Sequence, residues 1–124
     1  MSTMNGLILF AHGSRDPAWA APFEAVAARL RSRRPQCRVV LAYLELMQPD
    51  LPTAAASLVQ AGCVRIDIVP MFLGTGGHVR RDLPALVQQL RQRQPAVQWS
   101  LHAPIGEHPD VIDAMAAAAL DGTD

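Results

Sequence analysis

Cysteine is scarce: Cys37 and Cys63 are the two in a chain of 124 residues. They stand far apart and form no C-x-x-C pair, which rules out a disulfide framework and a thiolate zinc site and leaves two reduced, structural thiols, as expected in a cytoplasmic protein. An excess of charge of either sign is also missing, since 11 basic residues face 11 acidic ones. A general nucleic-acid binder carries a strong basic surplus, so no nucleic-acid partner is expected, although arginine is locally dense at Arg29, Arg31, Arg33 and Arg34 and again at Arg80 and Arg81. Long hydrophobic runs are lacking too. The apolar stretch Gly6 to Ala11 is far short of the roughly 20 residues that span a bilayer. It has no basic leader and is followed closely by Arg15-Asp16, so no signal peptide, anchor or membrane partner is expected.

Familiar catalytic signatures are absent as well. There is no G-x-x-x-x-G-K-[ST], no H-E-x-x-H and no G-x-S-x-G. Gly74-Thr-Gly-Gly-His-Val does not match G-x-G-x-x-G and follows the third expected strand instead of the first. No organic cofactor is therefore expected. Ala11-His12-Gly13 has alanine where histidine phosphatases carry the arginine before their nucleophile, which counts against a phosphohistidine mechanism.

What remains is a chain that is 50% hydrophobic and 18% charged, the balance of a globular protein and not of a disordered one. Its length suits one domain over residues 1–124, since single domains commonly run about 100–150 residues. A core of that size holds one sheet with helices on its faces.

The hydrophobic period switches repeatedly. Gly6–Ala11 is a continuous apolar run, as in a strand buried on both faces. Asp16 and Pro17 then suit a helix start, with Phe23, Val26, Ala27 and Leu30 on one face, an arginine-rich last turn and Pro35 as a stop. The unit repeats as strand Arg38–Leu46 and a helix opened by Pro49-Asp50, with Leu51, Ala55, Leu58 and Val59 inward and Gly62 as its cap. Strand Arg65–Leu73 follows, with a bulge or a local break in the ladder expected at Pro70, which lacks an amide donor. A third helix carries Leu83, Leu86, Val87 and Leu90, and Asp82 is expected in its first turn. Strand Val97–His102 and a helix from about Pro109 to Leu120 complete the series. Strict strand–helix alternation specifies an α/β fold in three layers: a four-stranded parallel sheet with flanking helices.

In such sheets ligands bind beyond the carboxyl ends of the strands. The first strand delivers His12-Gly13-Ser14-Arg15 there, the second Glu45, the third Phe72, Leu73 and then Gly77 and His78, and the fourth His102, Glu107 and His108. All four histidines of the chain fall at one edge, which favours a site over scattered structural roles. Glu45 is the odd acid of an apolar strand; a buried, unpaired carboxylate is costly, so it is expected to face the site or a cation. His102 and His108 are weaker candidates, and His108, before Pro109, is read as orienting the last helix. Two imidazoles and a carboxylate suit a divalent ion such as cobalt, nickel, iron or zinc, and few protein ligands leave coordination positions open.

The blocks Leu7-Ile-Leu-Phe-Ala-His-Gly-Ser-Arg-Asp-Pro17, Ala42-Tyr-Leu-Glu-Leu46 with Pro49, Val69-Pro-Met-Phe-Leu73, Gly77-His-Val-Arg-Arg-Asp-Leu-Pro84 and Pro104-Ile-Gly-Glu-His-Pro109 together resemble the small sirohydrochlorin cobaltochelatases, the CbiX type of class II chelatase. The resemblance covers nearly the whole chain. It implies a flavodoxin-like half domain with strand order 2-1-3-4. It also implies insertion of a divalent metal as substrate (Co2+, or Fe2+ or Ni2+) into a sirohydrochlorin-type tetrapyrrole for cobalamin, sirohaem or a related cofactor. The family's metal-binding histidines fall on His12 and His78 and its acid on Glu45, which makes His12, Glu45 and His78 the expected catalytic set. A chain of one half implies a homodimer. Placement adds Ser14, Arg15, Phe72, Leu73, Gly77, Arg80 and Arg81 as residues to hold the macrocycle and its carboxylates. The rival reading is a non-catalytic metal carrier or sensor of the same fold.

Overall fold

The computed structural model describes residues 4–74 and 76–123, with His78 described in its backbone alone. Strand β1 (Met4–Ala11) is followed by a 3-10 turn (Pro17–Ala20), helix α1 (Ala21–Arg33), β2 (Cys37–Tyr43), α2 (Leu51–Gln60), β3 (Cys63–Pro70), α3 (Gly77–Arg93), β4 (Gln98–Leu101), a second 3-10 turn (Ile105–Glu107) and α4 (Pro109–Leu120). The strands form one parallel sheet in the order β2-β1-β3-β4, as the resemblance implies. β1 lies at the centre because its run Ile8-Leu-Phe-Ala11 is apolar on both faces and fully buried.

One face of the sheet offers Ile8, Phe10, Ile66 and Ile68 to Ala54, Ala55 and Leu58 of α2 and to Leu83, Val87 and Leu90 of α3. The other face offers Leu9 and Val39 to Ala27 of α1, with Val26 and Leu30 partly buried beside it. α4 differs from the other helices, because it is apolar along most of its length yet buries none of its residues. The two edge strands are guarded alike: Arg31, in the last turn of α1, donates to the Val39 carbonyl at 2.8 and 3.2 Å, and Arg91, in the last turn of α3, donates to the Trp99 carbonyl at 3.4 Å. Occupied edge carbonyls discourage pairing with a foreign strand. Arg31 is thereby a structural residue.

Several local expectations change. The segment after Asp16 starts as a 3-10 turn before α1 begins at Ala21. Ala61 caps α2, with Gly62 just beyond it. Asp82 is the sixth residue of α3, past its first turn, because the helix starts at Gly77. Of the two expectations for Pro70, the ladder breaks off there and no bulge forms. Pro70 is the last residue of β3, paired with Phe10, and the one register shift between β1 and β3 lies at Met4/Asn5. Its neighbour Met71 donates to Phe10 of β1, while Ile68 accepts from His102 on the β4 side. The missing amide of Pro70 thus falls on the β4 side, where the partner strand has already ended at Leu101.

Asp50 illustrates how a turn residue sets a helix start. Its carboxylate accepts from the Thr53 amide at 2.9 Å as the N-cap of α2, and hydrogen bonding from the Thr53 side chain, then from that amide, holds its pKa below the usual carboxylate range. A depressed acid stabilises the fold above its ordinary pKa, and that contribution is lost as pH falls through the lowered value. Asp50→Ala is expected to cost about 1 kcal/mol at neutral pH. The gap between variant and wild type in denaturant titrations should close as the pH falls well below about 4; a gap that persists in acid would show that the charge is not what caps α2.

Candidate functional site

The carboxyl edge of β1 and the loop after β2 are fastened backbone to backbone. Leu44 donates to the Ala11 carbonyl at 2.9 Å and Glu45 to the His12 carbonyl at 3.1 Å. Gly13 makes this approach possible: it has φ 100°, and a Cβ there would overlap the Glu45 carbonyl oxygen. Only glycine takes that conformation without strain and leaves that space empty. The latch ends the ladder early, so Glu45 lies in the loop beyond β2, which stops at Tyr43, and not within an apolar strand. It is half exposed and not a buried acid. The adjacent Leu46 adopts φ 67°, which turns the chain away from the sheet and leaves the Leu44 and Leu46 side chains exposed.

The outcome is a side-chain pair: His12 Nε2 lies 3.1 Å from Glu45 Oε1. An ionised carboxylate only accepts hydrogen bonds, so with Glu45 charged the Nε2–H of His12 donates. Exposure of 53% and 55% keeps such a pair weak, within about 1 kcal/mol. The imidazole also meets Phe72, edge to face with ring centroids 6.4 Å apart, and Phe72 in turn meets Phe10 in the core at 6.0 Å. Aromatic pairs are worth about 0.5–1.5 kcal/mol, so the contact with the phenyl ring is of the same order as that with the carboxylate.

The other candidates sort by position. His78 is the second residue of α3, placed by its backbone where the loop from β3 enters the helix; its side chain is outside the described residues. Gly77 opens that helix and Gly76 caps it. Leu73 is 72% exposed at the same edge, whereas Phe72 is half-buried against the core. Ser14 accepts from the Asp16 amide at 3.1 Å and so shapes the turn after β1, with Arg15 exposed beside it. Arg81 donates to the Gly77 carbonyl at 3.3 Å. Arg80 borders a cavity of about 190 Å³ that is also lined by Pro70, Leu83, Leu101, Pro104 and Glu107.

The three histidines whose side chains are described, His12, His102 and His108, do not converge. His102 Nε2 lies 3.0 Å from Asp67 Oδ1, and Arg65 approaches the other oxygen of that carboxylate at 3.7 Å. His108 Nδ1 accepts from the Asp110 amide at 3.1 Å, capping α4 as expected. Among the described residues no group of three or more histidine, cysteine or acidic side chains could hold a metal ion. The edge is shared, but His12, His102 and His108 each meet a different neighbour: Glu45, Asp67 and the Asp110 amide. Burial pushes the Cys37 and Cys63 thiols up, which keeps them protonated and poor ligands at neutral pH.

Fold and site together define a parallel α/β unit with a histidine–carboxylate pair open to solvent at the carboxyl edge. The CbiX family model matches residues 6–121. The chain is 30% identical to a sirohydrochlorin cobaltochelatase of Sulfolobus acidocaldarius, over 97% of this chain and 98% of that one. It is 27% identical to a sirohydrochlorin ferrochelatase of Priestia megaterium, over 90% of this chain but 42% of the longer relative. Among solved structures, a cobalamin biosynthesis CbiX protein from Marinobacter aquaeolei superposes with a TM-score of 0.81 at 32% identity, over 94% of this chain and 95% of that one. The cobalt-bound chelatase SirB of Bacillus subtilis subspecies spizizenii shares the fold with a TM-score of 0.81 at 24% identity, over 97% of this chain and 51% of SirB. The chain belongs to the CbiX family.

Gly13→Ala tests the latch. Strain at positive φ and collision with the Glu45 backbone should destabilise the fold by more than about 1 kcal/mol, and the Glu45 amide should lose hydrogen-exchange protection. Unchanged protection at Glu45 would mean that the two loops are not fastened there.

Proposed function

We propose that this chain is a sirohydrochlorin chelatase, one domain over residues 1–124, which inserts a divalent metal into the tetrapyrrole on the way to cobalamin, sirohaem or a related cofactor. The observation that carries the reading is the His12–Glu45 pair, 3.1 Å apart and half exposed at the mouth of the sheet, in a chain matched end to end by a cobaltochelatase. Insertion exchanges two pyrrolic protons for one dication, so the site needs a metal donor and a base at one place. Neutral imidazole, with an ordinary pKa of about 6.5, donates to a metal at cellular pH. His12 and His78 hold the ion facing the macrocycle; Glu45 orients His12 and takes one pyrrolic proton, and the other leaves to the solvent that reaches the half-exposed pair. Exposed Leu73, with Phe72 and Gly77, borders the macrocycle, and Ser14, Arg15, Arg80 and Arg81 meet its carboxylates. Cobalt is the favoured substrate, with iron or nickel as alternatives.

The expected assembly is a homodimer, and α4 supports it. Ile112, Met115 and Leu120 are exposed on a helix that buries none of its residues, and a helix that is apolar on most sides normally packs against something. A cytoplasmic setting fits the two free cysteines. Among the described residues no helix is long and apolar enough to cross a membrane.

Mixing the protein with sirohydrochlorin and Co2+ and following the absorption spectrum should show insertion well above the metal-only rate. His12→Ala and His78→Ala should each abolish the enhancement while the fold is kept; near-wild-type turnover in either would overturn the site. Glu45→Gln should slow insertion more than it weakens Co2+ binding, and the reverse order would make Glu45 a ligand. Sedimentation should give a dimer for the wild type and a monomer for Ile112→Glu combined with Leu120→Glu. A wild-type monomer would refute the homodimer.

A further inference from the structure

We propose that the turn at Gly106 is a positioning element for the reaction: acting through Phe72, it sets the orientation of the His12 ring. This rests on the reading of His12 as a metal-binding residue.

The segment Pro104-Ile-Gly-Glu-His-Pro109 carries no chemistry of its own in the site, since His108 is spent on capping α4 and Glu107 is exposed. Its centre, however, is buried. Gly106 donates from its amide to the Phe72 carbonyl at 2.9 Å. A Cβ at Gly106 would overlap the carbonyl and Cα of Leu73, which are backbone atoms with no flexible end to give way. The connection after β4 therefore lies flat on the Phe72–Leu73 backbone.

That contact falls where the sheet has stopped guiding the chain. β3 ends at Pro70, and the Met71 amide makes one further bond to Phe10 of β1. The next main-chain hold is the bond from Gly106 to Phe72. Phe72 then extends its ring between Phe10 in the core and the imidazole of His12. His12 has two side-chain contacts, Glu45 and Phe72. Gly13 secures the first and Gly106 the second, each by letting two loop backbones approach without a Cβ. Displacing Phe72 frees the ring to rotate away from Glu45, and small misplacements of reacting groups carry large rate penalties.

Gly106→Ala, Phe72→Leu and the double variant test this by two separate readouts. In the metal-free protein, the His12 ring signals in proton–carbon NMR, assigned with His12→Ala, should shift in both single variants, because the Phe72 ring current is moved or removed. In cobalt insertion, each single variant should lose about tenfold or more in kcat, a larger change than any in KM for sirohydrochlorin, and the double variant should be no slower than Phe72→Leu alone. His12 signals that stay in place in both variants would overturn the proposal, as would a double variant whose loss is the product of the two. A raised KM with kcat retained in Phe72→Leu would overturn it too, leaving Phe72 as a border of the macrocycle with no hold on His12. If Gly106→Ala does not fold, Phe72→Leu decides by the same two readouts. If wild-type protein inserts no metal, the chelatase reading fails by itself, and the NMR signals still decide whether Gly106 and Phe72 orient His12.

Discussion

The backbones of the loops after β1 and β2 meet at Gly13 and Glu45, and the site's geometry follows from how close they come. Parallel strands present their carboxyl ends together, but side chains at those ends point wherever their loops turn. Here the Glu45 amide is bonded to the His12 carbonyl, so the two side chains that leave the same pair of residues have little choice but to meet. A residue larger than glycine at position 13 would push the Glu45 carbonyl away and separate imidazole from carboxylate. The hydrogen bond between them is weak by itself, being exposed; its value lies in being imposed by the backbone instead of chosen by flexible side chains.

The sheet beneath gives this latch a rigid base. β1 is buried on both faces and lies between β2 and β3, so the strand that ends in His12 is the least able to move. Phe10 continues that rigidity upward into Phe72 and on to the imidazole. The site is thus continuous with the core on one side and open to water on the other. A group that must bind a hydrated cation and then release it to a large planar ligand needs that arrangement: fixed donors, accessible positions and apolar surroundings.

Much of the fold is legible in the sequence because its signals are strong. The run Leu7–Ala11 has no polar residue to tolerate exposure, and the alternation of such runs with helical periods leaves few topologies. The site was legible in part. His12 follows directly from the end of β1. Glu45 lies beside His12, but not for the reason its flanking residues suggest: Arg38 to Leu46 reads as one strand, whereas the sheet releases the chain after Tyr43, and an acid in a loop carries no burial penalty. His102 and His108 do not join His12 despite the shared edge, because their partners, Asp67 and the Asp110 amide, are set by tertiary register and local capping. Asp67 in mid-strand was a signal, since an acid flanked by Ile66 and Ile68 needs a partner. The role of Gly106 had no local signal at all, as it depends on a contact with Leu73, which is remote in sequence.

The central claim is that His12 contributes to a site for one divalent cation at this edge. Anomalous diffraction at the cobalt edge, from crystals soaked in Co2+, tests it directly. The account predicts one dominant peak within about 2.1 Å of a His12 ring nitrogen. A dominant peak at the Asp67–His102 pair or at His108, with none at His12, would contradict it.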